Sequence, residues 1–111
     1  MLKLEIKLDD EKILKESVYQ LDGVYQTIEN VFEKSRLPGE KGEDGTMVFY
    51  GTGNIRDFAS FGKIITWLKK KEWFINNVTK WIWYNSDNGR DDEDFSVEDV
   101  LYHYTKKASI M

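Results

Sequence analysis

The first part of the chain alternates strictly between apolar and charged side chains. Every second position over residues 2–8 is apolar, namely Leu2, Leu4, Ile6 and Leu8, and the positions between are Lys3, Glu5 and Lys7. A period of two residues is typical of a β-strand with one buried face and one solvated face. The acidic run Asp9, Asp10 and Glu11 ends this strand. Residues 12–16 fit either a continuation of the strand or an early helical turn.

Two longer segments repeat apolar residues at the three- and four-residue spacing of an amphipathic helix. The first helix is predicted to begin at Ser17, because Ser17 and Gln20 match a capping box. Its apolar stripe is Leu21, Val24, Tyr25, Ile28, Val31 and Phe32. The second helix is predicted to follow Asn54 as its cap, with Asp57 in the first turn. Its stripe is Phe58, Phe61, Ile64, Ile65 and Leu68.

The remaining patterns complete an α+β prediction. Residues 46–50 and 80–84 have the β-branched and aromatic content of strands. Between them, Trp73, Phe74 and Val78 predict either a short helix or an extension of the second helix. A last helix is expected to begin at Ser96, with Val97, Val100, Leu101 and Tyr104 facing inward. The predicted order is strand, helix, strand, helix, possible short helix, strand, helix. That order describes one small α+β domain with about three strands and three or four helices.

Two polar segments interrupt this pattern. Residues 37–45 contain a Pro-Gly pair and two further glycines, which predicts a mobile surface loop. Residues 86–94 form a second predicted loop, which is strongly acidic. Neither segment separates two parts that are large enough to fold alone. We therefore expect residues 1–111 to form a single domain.

Composition narrows the classes of chemistry that the chain can perform. With 41% hydrophobic and 14% aromatic residues the chain is expected to fold, and its zero cysteines exclude disulfides, thiolate metal sites and cysteine nucleophiles. The first residues do not resemble a secretory signal, and no apolar run approaches the roughly 18 residues of a membrane span. The expected location is cytoplasmic, with no membrane partner and no cofactor.

The charges are segregated along the chain. The net charge is −4, but residues 56–85 contain six basic and two acidic side chains, whereas residues 86–111 contain three basic and seven acidic ones. An acidic total disfavours binding to nucleic acid through electrostatic attraction. A nucleic-acid accessory protein that uses the basic segment 56–80, with Trp67 and Trp73 stacking on bases, is the third of our hypotheses.

Catalytic motifs are scarce. His103 is the single histidine, and there is no Gly-x-Ser-x-Gly elbow. Asp99 lies four residues before His103 on the predicted last helix, so the two side chains are expected to share a face. Asp99 could orient the His103 imidazole as a base, or the two side chains together could bind a metal. They could also form a purely local contact. A small enzyme or ligand-binding domain that uses Asp99 and His103 is therefore the alternative hypothesis; the leading expectation is no catalytic activity.

Two loop patterns resemble ligand sites only in part. The run Gly51, Thr52, Gly53 and Asn54 lies between a predicted strand and helix, where backbone amides could hold a phosphate. Arg56 stands where the dinucleotide motif needs its third glycine, so a plain turn is the simpler interpretation. In the acidic loop, placing Gly89 at the sixth position of a calcium loop puts Tyr84 first and Phe95 twelfth. Neither residue supplies a carboxylate, and no metal site is predicted.

Acidic and aromatic residues that lie close together form the main candidate site. Trp81 and Trp83 are expected to point to one face of a strand and Tyr84 to the other, so they are either core residues or anchors for a partner. The candidate acidic contacts are Asp91, Asp92, Glu93 and Asp94.

In composition the chain resembles bacterial immunity proteins and other inhibitors that cover a basic site. In that class, acidic side chains occupy a cationic cleft and aromatic residues supply the hot spot. The leading hypothesis is a non-catalytic interaction module, either an immunity-type inhibitor or an accessory protein of a mobile element. Its expected partner is another protein with a basic surface, and a homodimer is also possible.

Overall fold

The computed structural model describes residues 1–110 and has an α+β architecture. The strands are β1 (Leu2–Leu8), β2 (Gly39–Lys41), β3 (Met47–Tyr50), β4 (Val78–Asn85) and β5 (Ser96–Asp99). The helices are α1 (Asp10–Glu16), α2 (Leu21–Lys34), α3 (Asp57–Leu68), α4 (Glu72–Ile75) and α5 (Val100–Thr105). The α+β class is confirmed. The described residues contain five strands and five helices, more than the three strands and three or four helices that were predicted.

The strands form one antiparallel sheet in the order β2-β3-β1-β4-β5. The alternation of β1 produces the expected two faces, because its four apolar residues are buried and its three charged residues are only partly exposed. The buried face packs against the apolar stripes of the helices. In the core, the rings of Phe32 on α2 and Phe49 on β3 are stacked with centroids 3.7 Å apart.

The opposite face of the sheet is polar but not fully solvated. Lys80 on β4 lies diagonally across from Glu5 on β1, and its Nζ is 2.6 Å from Glu5 Oε2. Burial alone would raise the pKa of Glu5, but hydrogen bonds from Lys80 and Tyr84 lower it below its ordinary value. Burial and the Glu5 carboxylate raise the pKa of Tyr84 to about 12. This face is therefore held together by a charged network.

Strand β2 lies inside the segment that was predicted to be a loop. Gly42 N donates to Thr46 O at 2.8 Å, which closes a tight turn and returns the chain to pair with β3. The Phe49 ring occupies the position where a β-carbon of residue 39 would lie. Any residue larger than Gly39 would therefore displace that ring. This three-residue edge strand of Gly, Glu and Lys has no alternation of apolar and polar residues. The hydrophobic pattern of the sequence therefore does not predict it.

Two predicted helix starts are wrong by several residues. Ser17 does not cap α2; it ends α1 in the left-handed region with φ 53°, and α2 begins at Leu21. Ser96 does not cap the last helix, because its Oγ donates to Asn85 O at 3.1 Å within the β4–β5 pairing. The cap of α5 is Asp99, whose carboxylate accepts from Tyr102 N at 3.2 Å.

Candidate functional site

The three predicted aromatic anchors do not form one surface. Trp81 has 0% exposure and packs against Phe74 and Tyr104, with ring centroids 4.9 and 5.6 Å away. Trp83 lies on the same face and is half-buried. Tyr84 points to the polar face, where Lys3 Nζ is 4.6 Å from its ring centroid. Trp81 is thus a core residue, and only Trp83 and Tyr84 are partly accessible.

The predicted acidic loop is exposed between β4 and β5, and only part of its charge is neutralised. Asp94 is folded back onto the loop, because its Oδ2 accepts from Arg90 N at 2.9 Å and lies 3.8 Å from Arg90 Nε. Asp87 Oδ1 lies 2.6 Å from the amino group of Met1. Within residues 1–110, the carboxylates of Asp91, Asp92 and Glu93 form no ion pair. Three negative charges therefore remain available to a partner.

Exposed apolar side chains lie next to this loop. Ile55, in the turn before α3, is 96% exposed, and Phe58, in the first turn of α3, is 60% exposed. Both side chains line a concavity with a volume of about 450 Å³, which Asp87 and Asp92 also line. Sequence patterning placed Phe58 in the buried stripe; that placement is wrong. We call the group Ile55, Phe58, Asp87, Asp91, Asp92 and Glu93 the acidic end.

The turn at residues 51–54, which was considered as a phosphate site, already binds the carboxylate of Asp57. Thr52 N and Asn54 N donate to Asp57 Oδ2 at 2.6 and 3.2 Å, and Asp57 is only 7% exposed. Gly53 adopts φ 84°, which lets the turn wrap around this carboxylate. An anion from solution would have to displace Asp57, so the turn is a structural element.

Asp99 and His103 do not form the predicted pair. The Asp99 carboxylate accepts from Ser109 Oγ at 2.6 Å and from Ser109 N at 2.8 Å, in addition to capping α5. Burial alone would raise the pKa of Asp99, but the hydrogen bonds from Ser109 and Tyr102 lower it below the ordinary 3.8. His103 instead packs edge-on against Tyr104, with ring centroids 4.8 Å apart. The prediction failed because Asp99 is the last residue of a strand and not part of the helix.

The basic segment provides few free aromatic faces for stacking on bases. Trp67 and Trp73 pack against each other with centroids 6.0 Å apart, and Lys71 Nζ lies 4.9 Å from the centre of the Trp67 ring. Lys69 Nζ is 5.0 Å from the Tyr104 ring. These contacts engage lysines and tryptophans that the nucleic-acid hypothesis requires for a ligand.

A groove of about 570 Å³ lies between α2 and the edge strand β2. Its floor includes the buried residues Leu37, Met47 and Phe49. Charges of both signs line it: Glu29, Glu33, Glu40, Arg36 and Lys41. No residue predicted from the sequence to bind a partner lies in this groove, and its mixed charges do not favour a partner of one sign.

Comparison with known proteins identifies no relatives: no family model, no curated protein and no solved structure matches this chain. Among residues 1–110, none of the helices is long and apolar enough to cross a membrane. The same residues contain no group of three or more histidine, aspartate or glutamate side chains arranged to hold a metal ion. The acidic end is the surface where predicted partner-binding residues and exposed apolar residues meet.

Proposed function

We propose that the chain is a non-catalytic, cytoplasmic protein-interaction module whose acidic end binds a basic surface of another protein. The supporting observation is that the exposed side chains of Ile55 and Phe58 line one concavity with Asp92. The carboxylates of Asp92 and of its loop neighbours Asp91 and Glu93 form no ion pair within the described chain. An immunity-type inhibitor and an accessory protein of a mobile element would both use such a surface.

The two kinds of residue contribute different parts of the binding energy. An exposed apolar side chain loses its contact with water when it is covered, at about 25 cal/mol per Å² of apolar surface. Carboxylates at the rim of an interface mainly speed up association with a positive partner and exclude partners of the wrong sign. Ile55 and Phe58 are therefore the proposed anchors, and Asp91, Asp92 and Glu93 are the proposed steering charges.

The alternative of an enzyme or ligand-binding domain built on Asp99 and His103 is less well supported. Asp99 already accepts hydrogen bonds from Ser109 and from the first turn of α5. No hydrogen bond or ion pair joins its carboxylate to His103 within the described residues. The proposed role for Asp99 is therefore to fix the start of α5 and the following segment.

A photo-crosslinking experiment can identify the partner. A photoreactive amino acid replaces Phe58 in the native cell, and a matched protein carries it at Leu14, an exposed apolar residue of α1 with 62% exposure. We expect position 58 to crosslink to one basic protein and position 14 not to crosslink to it. An identical set of crosslinked proteins from both positions would count against the acidic end.

The affinity of the purified pair then tests the roles of the residues. Replacing Asp91, Asp92 and Glu93 with lysine is expected to weaken binding at least tenfold, which corresponds to about 1.4 kcal/mol. Ile55→Asp should weaken it by a similar factor through the dissociation rate. The matched control replaces Glu16, Glu29 and Glu33, which are exposed acids elsewhere, with lysine.

This control produces the same net charge, so it separates a local effect from a global one. We expect it to change the affinity less than threefold. Equal losses from both triple variants, or no loss from the acidic-end variants, would refute the proposed surface. Calorimetry at two salt concentrations provides a further check, because steering by exposed charges weakens as ionic strength rises.

A further inference from the structure

A small aromatic cleft lies between α3 and α5, on the face of the sheet that carries Trp83. Its volume is about 140 Å³, and the accessible rings of Phe58 and Trp83 line it. Phe61 and Tyr104 also line it, but Phe61 has 0% exposure and Lys69 Nζ already lies 5.0 Å from the Tyr104 ring. The rings of Phe61 and Phe58 are inclined to the Trp83 ring by 60° and 68°, with centroids 4.9 and 6.3 Å away. Both phenylalanine rings therefore pack at an angle against the Trp83 ring.

One carboxylate lies at the rim of this cleft. Glu98 on β5 is the direct cross-strand partner of Trp83 on β4, so both side chains emerge on the same face of the sheet. Glu98 lines the cleft and forms no ion pair with any residue in the described part of the chain. His103 lies at the same rim. The cleft thus combines aromatic walls with a negative charge that has no cationic partner.

One of the residues that line the cleft is a glycine. Gly62 on α3 is one of the lining residues, and no atom lies within 4 Å of the place where its β-carbon would be. A glycine inside a helix costs roughly 1 kcal/mol relative to alanine. A side chain at this lining position would therefore begin in open space.

We propose that this cleft is a binding site for an organic ammonium cation. A cation over an aromatic face is stabilised by about 0.5–2 kcal/mol, and recognition of quaternary ammonium groups by several aromatic rings is a common use of that attraction. Glu98 adds the opposite charge. The cleft, at about 140 Å³, is small, so the expected ligand is a small ammonium group.

The site can be tested with small probes before any partner is known. The first probe pair is choline and 3,3-dimethylbutan-1-ol, which have the same shape but differ in carrying a nitrogen cation or a neutral carbon. We expect choline to bind saturably, with NMR shift changes at Trp83 and Tyr104, and the neutral alcohol to bind at least tenfold more weakly. Equal affinities for the two probes, or no saturable binding of choline, would overturn the proposal.

Variants locate the binding within the molecule. Gly62→Leu should fill the cleft and weaken choline binding at least tenfold, and the matched control Thr66→Leu lies at an exposed position of the same helix. Glu98→Gln should weaken choline binding about fivefold while leaving the weak binding of the neutral alcohol unchanged. Circular dichroism and thermal melting verify that each variant is folded. Choline binding that is unchanged in folded Gly62→Leu would refute the site.

The ammonium cation in the cleft could belong to a free quaternary ammonium compound or to a lysine side chain of a protein partner. Nα-acetyl-lysine methylamide and its trimethylated form distinguish these sources when they are compared with choline. Tighter binding of the unmethylated lysine derivative assigns the cleft to a partner's lysine, and tighter binding of choline assigns it to a free compound. Failure of all three cations would refute the cleft as a cation site without affecting the proposed role of the acidic loop.

Discussion

Replacing Trp81 with alanine is expected to lower the free energy of unfolding by about 3–5 kcal/mol. The side chain has 0% exposure and lies between Phe74 of α4 and Tyr104 of α5. Its loss would leave a cavity where the sheet meets both helices. Small domains have only about 5–15 kcal/mol of total stability, so the variant should unfold at a much lower urea concentration.

Trp81→Phe provides the matched control for this prediction. No protein atom in residues 1–110 accepts a hydrogen bond from the buried Trp81 Nε1, and leaving a buried donor unpaired costs about 1–3 kcal/mol. Phenylalanine removes that donor while keeping most of the apolar contact. We therefore expect its cost to be less than half that of alanine. A Trp81→Ala variant that loses less than about 1 kcal/mol would show that Trp81 is not a core residue.

The elements with strong periodicity were predictable from the sequence. Strand β1 alternates over its whole length, and the stripe of α2 includes four buried residues: Val24, Tyr25, Ile28 and Phe32. These patterns are local consequences of burying one face, so the surrounding chain is not needed to recognise them. Strand β4 was recognised from its β-branched and aromatic content, although it extends further on both sides than predicted.

The edges of the sheet were not predictable because they depend on pairing between distant segments. Residues 96–99 can begin a helix or continue a strand, and their register with β4 decides the outcome. Once Ser96 pairs in the sheet, Asp99 becomes the residue that caps α5. The prediction of an Asp99–His103 pair failed for the same reason, since it assumed helical spacing across a strand.

Only the acidic part of the candidate site could be predicted from the sequence. The acidic residues were found from their density, and the structure places them on an exposed loop. Phe58 was missed because helical periodicity alone does not distinguish the buried part of a stripe from a first turn that extends past the core, and Ile55 precedes the helix and lies outside its stripe. Ile55 did give a local signal: it is a large apolar residue directly after the polar turn of Gly53 and Asn54.

Replacing Asp99 with alanine is expected to cost about 2–4 kcal/mol at neutral pH. Loss of a helix N-cap costs about 0.5–2 kcal/mol, and each hydrogen bond to a charged group contributes about 1.5–3 kcal/mol before the chain relaxes. Asp99 provides both, since it caps α5 and accepts two hydrogen bonds from Ser109. Ser109 Oγ in turn accepts from Trp81 N at 3.0 Å, which couples the carboxylate to the core.

The cost of Asp99→Ala should depend on pH with a definite sign. Because folding lowers the pKa of Asp99 below 3.8, its contribution is complete above that value and is lost as the pH falls through the folded pKa. Urea unfolding at pH 7 and pH 3 should therefore show a smaller difference between the native chain and the variant at pH 3. Glu98→Ala and His103→Ala, at exposed neighbouring positions, should each change stability by less than about 0.5 kcal/mol. A loss from His103→Ala as large as that from Asp99→Ala would instead indicate that the two residues act as a pair.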